Sequence, residues 1–424
     1  MPIIPKTRSQ HTFLLLGIFA FFLCLRSPEI LIKGRFWAEE GTVFFHNAWT
    51  CSFTTALFTS YGGYLNLATN AATLLAFWLA PLPQAPYVTI AIGLAFQLLP
   101  LYLLLTAREA WLADFKTRVW ATLLLLLVPE TSEISLQSLH IQFSLSLASA
   151  IILTLATERT VQRWFRLGIL FLTPLCGLSA IPLGLLYGLR VLYQRSWLRF
   201  EQLCVFSLSS ALQLLFFYDP HFGNARHYSF SLIDFLTVFF TRFLIIPFAG
   251  LTHRVIPYIF HLYAIRLTHH FPLFACGCSL LTLLLVCTIA YRHSRNALWF
   301  LASALVLLAI AVYGAIGGGI SIIDPYGGER YVYAAQALFC LTLLRLSVNL
   351  PAQNQRIVKG IMGWLVLVGV YNYRHPHPLS VDGPSWRHEV SLWRQNSQYN
   401  PKIWPEMNET YWRINLPKKT EAVP

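Results

Sequence analysis

The feature that most constrains this chain is a series of long apolar blocks that carry almost no charge. Residues 12–25, 87–106, 141–157, 271–290 and 297–315 are the clearest of them. An uncharged run of roughly 18 residues or more reads as a membrane helix. One such run can be a buried core helix. So many in series imply a chain threaded repeatedly through a bilayer. Composition agrees, since 56% of the 424 residues are hydrophobic and 12% are charged, against about a quarter charged in an ordinary globular domain. The first block has a basic start (Lys6, Arg8) but leads into Arg26-Ser27-Pro28-Glu29, which lacks a small-x-small cleavage site. It reads as a retained first span.

The net charge of +13 does not indicate nucleic-acid binding, because the basic residues sit in short loops between apolar blocks. Arg108, Lys116 and Arg118 form one group, and Arg159, Arg163 and Arg166 a second. Arg190, Arg195 and Arg199 follow, then Arg292 and Arg295, then Arg345, Arg356 and Lys359. Cytoplasmic loops carry such an excess. Most of the eight cysteines lie inside apolar blocks, and Cys276-Gly277-Cys278 has no zinc spacing, so they read as small core residues.

Placing the basic loops in the cytoplasm threads the chain with its N-terminus inside and its C-terminus outside. The expected fold is an all-α polytopic membrane protein with about eleven transmembrane helices. The spans are about 12–32, 87–106, 119–129, 138–157, two short spans within 167–193, then 200–217, 271–291, 297–315, 330–346 and 358–371. Residues 1–371 thus form the membrane domain, with long outer loops at 33–86 and 218–270. Parity requires 218–270 to begin and end outside, so the apolar stretch 232–250, which Arg242 and Pro247 interrupt, is assigned to the outer interface or a re-entrant position. A pair of crossings is the alternative. In 62–81, Asn66, Asn70 and Thr73 make a polar stripe on one helical face, which suits a helix lying in the outer interface. The tail 372–424 is rich in Pro, Trp and charge, and reads as a small extracytoplasmic cap whose tryptophans need burial or a sugar to stack on.

Four polar constellations fall on the outer side. The first is Arg35 to Gly41, with adjacent carboxylates Glu39 and Glu40. Either carboxylate can take a proton from a hydroxyl or hold a divalent cation; the bland reading pairs them with Lys33 and Arg35. The second is Asp324 to Tyr331, where Arg330 offers a bidentate fork for phosphate oxygens, flanked by Glu329 and Tyr331; the bland reading is a snorkelling arginine at a helix end. The third joins Glu130, Glu133 and His140 to a stripe of Ser135, Ser138, Gln142, Ser146 and Ser149, which lines a cavity or glues helices together. The fourth is a scatter of His221, Arg226, His227, Arg242, His253, Arg254, His269 and His270, without metal-ligand spacing, that suits an anionic lipid headgroup.

Four short motifs carry a resemblance: Trp37 to Gly41 after span one, Gly63-Tyr64-Leu65, Pro129-Glu130 after span three, and Gly327 to Tyr331. With the Gly383 to Trp386 and Ile403 to Pro405 stretches of the tail, they cover most of the chain. The pattern resembles the GT-C glycosyltransferases, whose plan is shared by protein O-mannosyltransferases, the lipid A aminoarabinose transferase and oligosaccharyltransferase catalytic subunits. It is nearest to bacterial multi-spanning membrane proteins of that class. The acidic pair is Glu-Glu here, where the resemblance leads to Glu-Asp.

The resemblance implies an enzyme of the bacterial cytoplasmic membrane. It would take a sugar from a polyprenyl-phosphate carrier by inverting single displacement and pass it to an envelope glycan, lipid or protein. Glu40 or Glu39 would be the base. Arg330, Tyr331, Glu329, His140, Glu130, Arg35 and Asn66 would bind substrate. No cofactor is assigned, a divalent cation is compatible, and no metal ligands are assigned. Two other classes fit the same sequence: a transporter or flippase for a lipid-linked sugar or other anion, and a non-catalytic scaffold of envelope assembly.

Overall fold

The computed structural model describes residues 6–157, 161–217, 228–375, 382–407 and 410–418. Arg159, His221, Arg226 and His227 lie outside the described residues. The protein is an all-α membrane protein, with two small hairpins among the described residues. Its principal helices are α1 (Lys6–Arg26), α2 (Leu67–Leu79), α3 (Ala85–Thr106), α4 (Phe115–Leu127), α5 (Ile141–Thr154), α6 (Val161–Leu172), α7 (Leu183–Gln194) and α8 (Trp197–Phe217). They continue as α9 (Leu232–Ala249), α10 (Val255–Leu267), α11 (Leu273–His293), α12 (Arg295–Gly314), α13 (Glu329–Asn349), α14 (Ala352–Arg374) and α15 (Trp386–Gln395).

Among the described residues seven helices are long and apolar enough to cross a membrane: α1, α3 (with the turn before it), α8, α9, α11, α12 and α13. Six of these coincide with expected spans. The helix α13 is the axis of the bundle, with 78% of its apolar window buried, against 22% for α1 and 28% for α8 and α11. It packs on α4, α5, α12 and α14, and its inward residues Ala334, Ala335, Ala337 and Leu338 are nearly inaccessible.

The bundle has two chemically distinct ends. At one, Arg8 donates to the Ala107 carbonyl, the Ala156 amide donates to Glu109, and Asn349 donates to the Ser294 hydroxyl, so the described basic loops lie together. At the other, Arg26 donates to Thr131 and Ser132, and Tyr373 to the Phe22 carbonyl. The first loop, loop 128–140 and the C-terminal cap meet there.

Four expected spans are short helices. α4 has 13 residues, α5 14, and α6 and α7 12 each, which reach about 18–21 Å. The hydrocarbon core is about 30 Å thick. Irregular backbone flanks them: 128–140 follows α4, and 173–182 follows α6. Non-helical backbone at membrane depth is tolerated only when buried in protein or lining a cavity, and residues 134–141 are buried throughout. Gly93 of α3 shows how closely this segment is seated. A Cβ there would stand 2.4 Å from the Gln137 carbonyl oxygen.

The stretch 232–250 is one helix carrying a π-helical turn, Phe240–Ile245. It is long enough to cross, yet its partners lie in one half of the bundle. Ser279, early in α11, donates to the Leu236 carbonyl; Phe339 of α13 packs on Phe239 and Phe243; and Trp364 of α14 donates to the Phe248 carbonyl. α10 returns alongside it, with Arg266 bonded to Asp234 at 2.7 Å. The pair therefore forms a hairpin. Helix α2 differs from expectation in the direction of its polar stripe, which faces protein. Asn66 donates to the Leu139 carbonyl, and Asn70 to the carbonyls of Leu57 and Thr59. Those loop carbonyls have no ladder partners, and the stripe supplies them.

The cap contains α15 and the hairpin β3 (Lys402–Met407) with β4 (Thr410–Arg413). Its tryptophans are buried or half-buried, and the indole N–H groups of Trp386, Trp393 and Trp404 donate to backbone carbonyls. The cap is pinned to the first loop, where the Ala38 amide donates to the Trp404 carbonyl at 2.6 Å and the Trp404 amide to the Phe36 carbonyl at 3.2 Å.

Candidate functional site

The two breaks in the helices face one cavity of about 640 Å³. The segment leading into α5 contributes Leu139 and His140, the first turns of α5 contribute Gln142, Phe143 and Ser146, and the 178–182 segment contributes Leu178, Ser179, Ile181 and Pro182. A third contribution comes from the tight hairpin β1 (Ser60–Tyr61) and β2 (Tyr64–Leu65). Gly62 and Gly63 both have positive φ, 63° and 84°, as a two-residue turn of this kind needs. The turn brings Tyr61 and Tyr64 to the cavity wall, which gives the Gly63-Tyr64-Leu65 motif its structural role.

The cavity is two-sided. Glu39, His140, Gln142, Arg330 and Tyr331 make its polar part. Leu214 and Phe217 of α8, Leu307, Ile310 and Ala311 of α12, and Pro182 make its apolar part. Ser146 bonds to Ser179 at 2.9 Å and Ser149 to Thr173 at 2.8 Å. The serine stripe of α5 therefore serves both readings, lining the cavity near the loop and joining α5 to the 173–179 segment deeper down.

The acidic pair divides. Glu39 is half-buried on the cavity. Glu40 is fully buried and turned into the protein, where it accepts from the Ser138 amide at 2.7 Å, the Ser138 hydroxyl at 2.6 Å and the Trp37 amide at 3.1 Å. Burial raises its pKa above the ordinary carboxylate value, although the Ser138 and Trp37 bonds and the Arg35 charge oppose the rise. Glu40 thus ties the first loop to loop 128–140 and is not on the cavity. Adjacent positions on a helical turn point about 100° apart, so only one of the pair can face the space.

Arg35, expected to touch substrate, is also structural. Its guanidinium lies 4.9 Å from the Trp37 ring and 5.6 Å from the Trp404 ring, and it donates to the Ser135 carbonyl. Burial lowers its pKa to about 10. Asn66 supports Leu139, as above. Glu130 lies in a closed knot: Arg242 bonds to it at 2.5 Å, Gln336 donates to it at 3.1 Å, and its own amide donates to Gln336 at 2.9 Å. Arg242 also donates to the carbonyls of Ile322, Asp324 and Gly327. It is fully buried and clamps the glycine turn, and so does not meet a lipid headgroup. Neither Gln336 nor this clamp was singled out in the sequence. The available signal was a lone amide in an apolar helix, which is costly without a partner.

Arg330 lies on the cavity beside Tyr331. It ion-pairs with Glu133, its ring neighbour Tyr331 is 4.8 Å away, and its Nη2 donates to the Tyr331 hydroxyl at 3.4 Å. Glu133 is buried, which pushes its pKa up, but the Arg330 charge, the nearby His140 and the Arg330 hydrogen bonds hold it below the ordinary value. His140 Nδ1 stands 3.2 Å from the Glu133 carbonyl oxygen. Only an Nδ1–H can bond to a carbonyl, so Nε2 carries the lone pair. Burial lowers the His140 pKa to about 4 against the pull of Glu133. His140 is therefore neutral at pH 7 and brings no charge to an anion.

A second cavity of about 280 Å³ lies behind Arg330 and Tyr331, lined by Glu133, Tyr263, Asp324, Tyr326 and Glu329 among others. Glu329 thus faces this smaller space, and it accepts from the Glu133 amide at 3.2 Å. Among the described residues no group of three or more His, Cys, Asp or Glu is placed to hold a metal ion. Four of the nine residues singled out in the sequence, Glu39, His140, Arg330 and Tyr331, meet at the larger cavity. Glu329 meets the smaller one, and Glu40, Arg35, Asn66 and Glu130 build the walls. Comparison with protein-family models, curated proteins and solved structures returns no match to this chain.

Proposed function

We propose that the chain is a membrane glycosyltransferase of GT-C type, which moves a sugar from a polyprenyl-phosphate carrier to a hydroxyl acceptor. The observation that carries this reading is the two-sided cavity, apolar along α8 and α12 and polar at Glu39, His140, Arg330 and Tyr331. An isoprenoid chain suits the first side, and a phosphate suits a guanidinium. In this reading Glu39 takes the proton of the acceptor hydroxyl. The acceptor oxygen then attacks the anomeric carbon from the face opposite the phosphate. The bond from that carbon to the phosphate oxygen breaks, and Arg330 stabilises the departing charge. His140, neutral and held through Nδ1, offers Nε2 as a hydrogen-bond acceptor to the sugar or the attacking hydroxyl. The basic end of the bundle faces the cytoplasm under the charge rule, which puts transfer on the outer face of the bacterial cytoplasmic membrane.

Carrier recognition tests this directly. Full-length chain in nanodiscs should bind undecaprenyl phosphate and discriminate against undecaprenol, which lacks the phosphate. Arg330→Lys should weaken phosphate binding roughly ten- to a hundredfold, because a charge-assisted bond is worth about 1.5–3 kcal/mol and lysine cannot copy the fork. Equal affinity for the phosphate and the alcohol would remove the reading. Movement of a lipid-linked sugar across the membrane without bond formation would favour a flippase instead.

A further inference from the structure

The second cavity has walls unlike those of the first. Three tyrosines, Tyr263, Tyr326 and Tyr331, line it with Trp37. Tyr326 is 43% exposed and Tyr263 is half-buried, so both present ring surface. Aromatic rings with a polar edge are suited to a ligand that is apolar on its faces and polar around its rim. Three carboxylates line the space, Glu133, Asp324 and Glu329, against the single guanidinium of Arg330. Arg330 is paired with Glu133, and the charge of Arg26 acts on Glu329 from behind the wall. Asp324 remains as the excess charge, with one oxygen accepting from the Tyr326 amide at 2.9 Å. Counted by lining charge, an anion entering this space meets three carboxylates and one guanidinium, whereas the larger cavity sets one carboxylate against that same guanidinium beside a neutral imidazole. The two cavities share Ile316, Arg330 and Tyr331 as a common wall. A volume of about 280 Å³ sits at the lower edge of the usual range for ligand sites, about 300–1,000 Å³. It holds one ring, not a chain.

The geometry points to the smaller cavity as the binding site of the acceptor: a single hydroxyl-bearing ring, uncharged or carrying an amine, and without an anionic group. This inference rests on the glycosyltransferase reading for the word acceptor. The ligand chemistry rests on the cavity alone. The phosphate lies on the larger-cavity side of Arg330 and the ring on the side that Asp324 and the tyrosines face, with the reacting hydroxyl presented at the shared Arg330–Tyr331 wall toward Glu39.

The test measures binding of three small rings to full-length chain in neutral-lipid nanodiscs by saturation-transfer NMR: methyl glucoside, glucosamine and glucose 6-phosphate. The first two should bind and the third should be rejected. Tyr326→Ala should weaken both about tenfold, the order expected for one aromatic contact. Asp324→Asn, which keeps the oxygen facing the Tyr326 amide, should admit glucose 6-phosphate. Tyr263→Phe removes a single hydroxyl and should weaken binding about threefold, which gives a second reading should the alanine variant misfold. Undecaprenyl phosphate affinity should be unchanged in all three variants. Absence of ring binding, equal binding of glucose 6-phosphate and glucosamine, or binding indifferent to Tyr326 and Tyr263 would each overturn the inference. Failure of wild type to bind undecaprenyl phosphate would instead count against the proposed function.

Discussion

At the scale of single residues, the division of labour between Glu39 and Glu40 decides the chemistry. Glu40 satisfies three donors of its neighbours while buried, so Glu40→Gln should lower stability rather than chemistry. An amide can still accept one bond, but its NH₂ then faces a donor. The expected loss is about 1.5–3 kcal/mol, with activity per folded molecule largely kept. Denaturant unfolding in detergent beside a transfer assay would separate the two; full stability with abolished turnover would show Glu40 to be the reacting group. His140 gives a pH signature. Its pKa is about 4 in the fold against the ordinary imidazole value of 6.5, so between those values the unfolded chain binds more protons and stability falls as pH falls from 6.5 toward 4. Glu133, with its pKa lowered from the ordinary carboxylate value of 4.5, adds a loss in the same direction at more acid pH. His140→Gln should flatten the unfolding midpoint between pH 6.5 and 4.5 while leaving the steeper acid limb. An unchanged slope would mean that His140 is not buried neutral.

At the scale of elements, the decisive part is the π-turned helix α9, because it delivers Arg242 to carbonyls of a turn that lies 80 or more residues away. π-turns recur at functional sites because they redirect a side chain out of helical register. Removing Arg242 leaves Glu130 charged and unpaired in the interior, which costs about 3–5 kcal/mol. Arg242→Leu should therefore destabilise the fold by that order, and Arg242→Leu with Glu130→Leu should recover much of it. A single variant as stable as wild type would show that the knot is not closed. The helices themselves were legible in the sequence, since apolar runs and basic loops follow from bilayer thickness and charge placement. The break at 173–182 was legible through Gly177 and Pro182, whereas 128–140 read only as a short outer loop between two spans. What was not legible depends on partners remote in the chain. Glu40 meets Ser138 98 positions on, and Arg242 meets Glu130 112 positions back, and no local pattern tells which of two adjacent carboxylates such a contact will claim.

At the scale of the whole molecule, one end of the bundle is basic and the other carries both cavities and the cap, so the orientation in the membrane fixes where the chemistry occurs. With the exposed Cys51 and Cys204 replaced by serine, an impermeant maleimide applied to intact cells should label Ser391→Cys in the cap and spare Gln353→Cys until the membrane is opened. The reverse pattern would turn the molecule over. The central claim is that a carboxylate on the larger cavity activates an acceptor at a carrier phosphate held by Arg330, and one assay reaches it most directly. Purified chain in nanodiscs is supplied with undecaprenyl-phosphate-linked radiolabelled glucose and a glucosamine acceptor, and product is counted for wild type and Glu39→Gln at matched folding. Wild type should form a glycosidic product with release of undecaprenyl phosphate, and Glu39→Gln should lose about 10²- to 10⁴-fold in rate with carrier binding intact. A Glu39→Gln variant turning over at the wild-type rate, or a wild type that binds the carrier and never breaks the sugar–phosphate bond, would contradict the account.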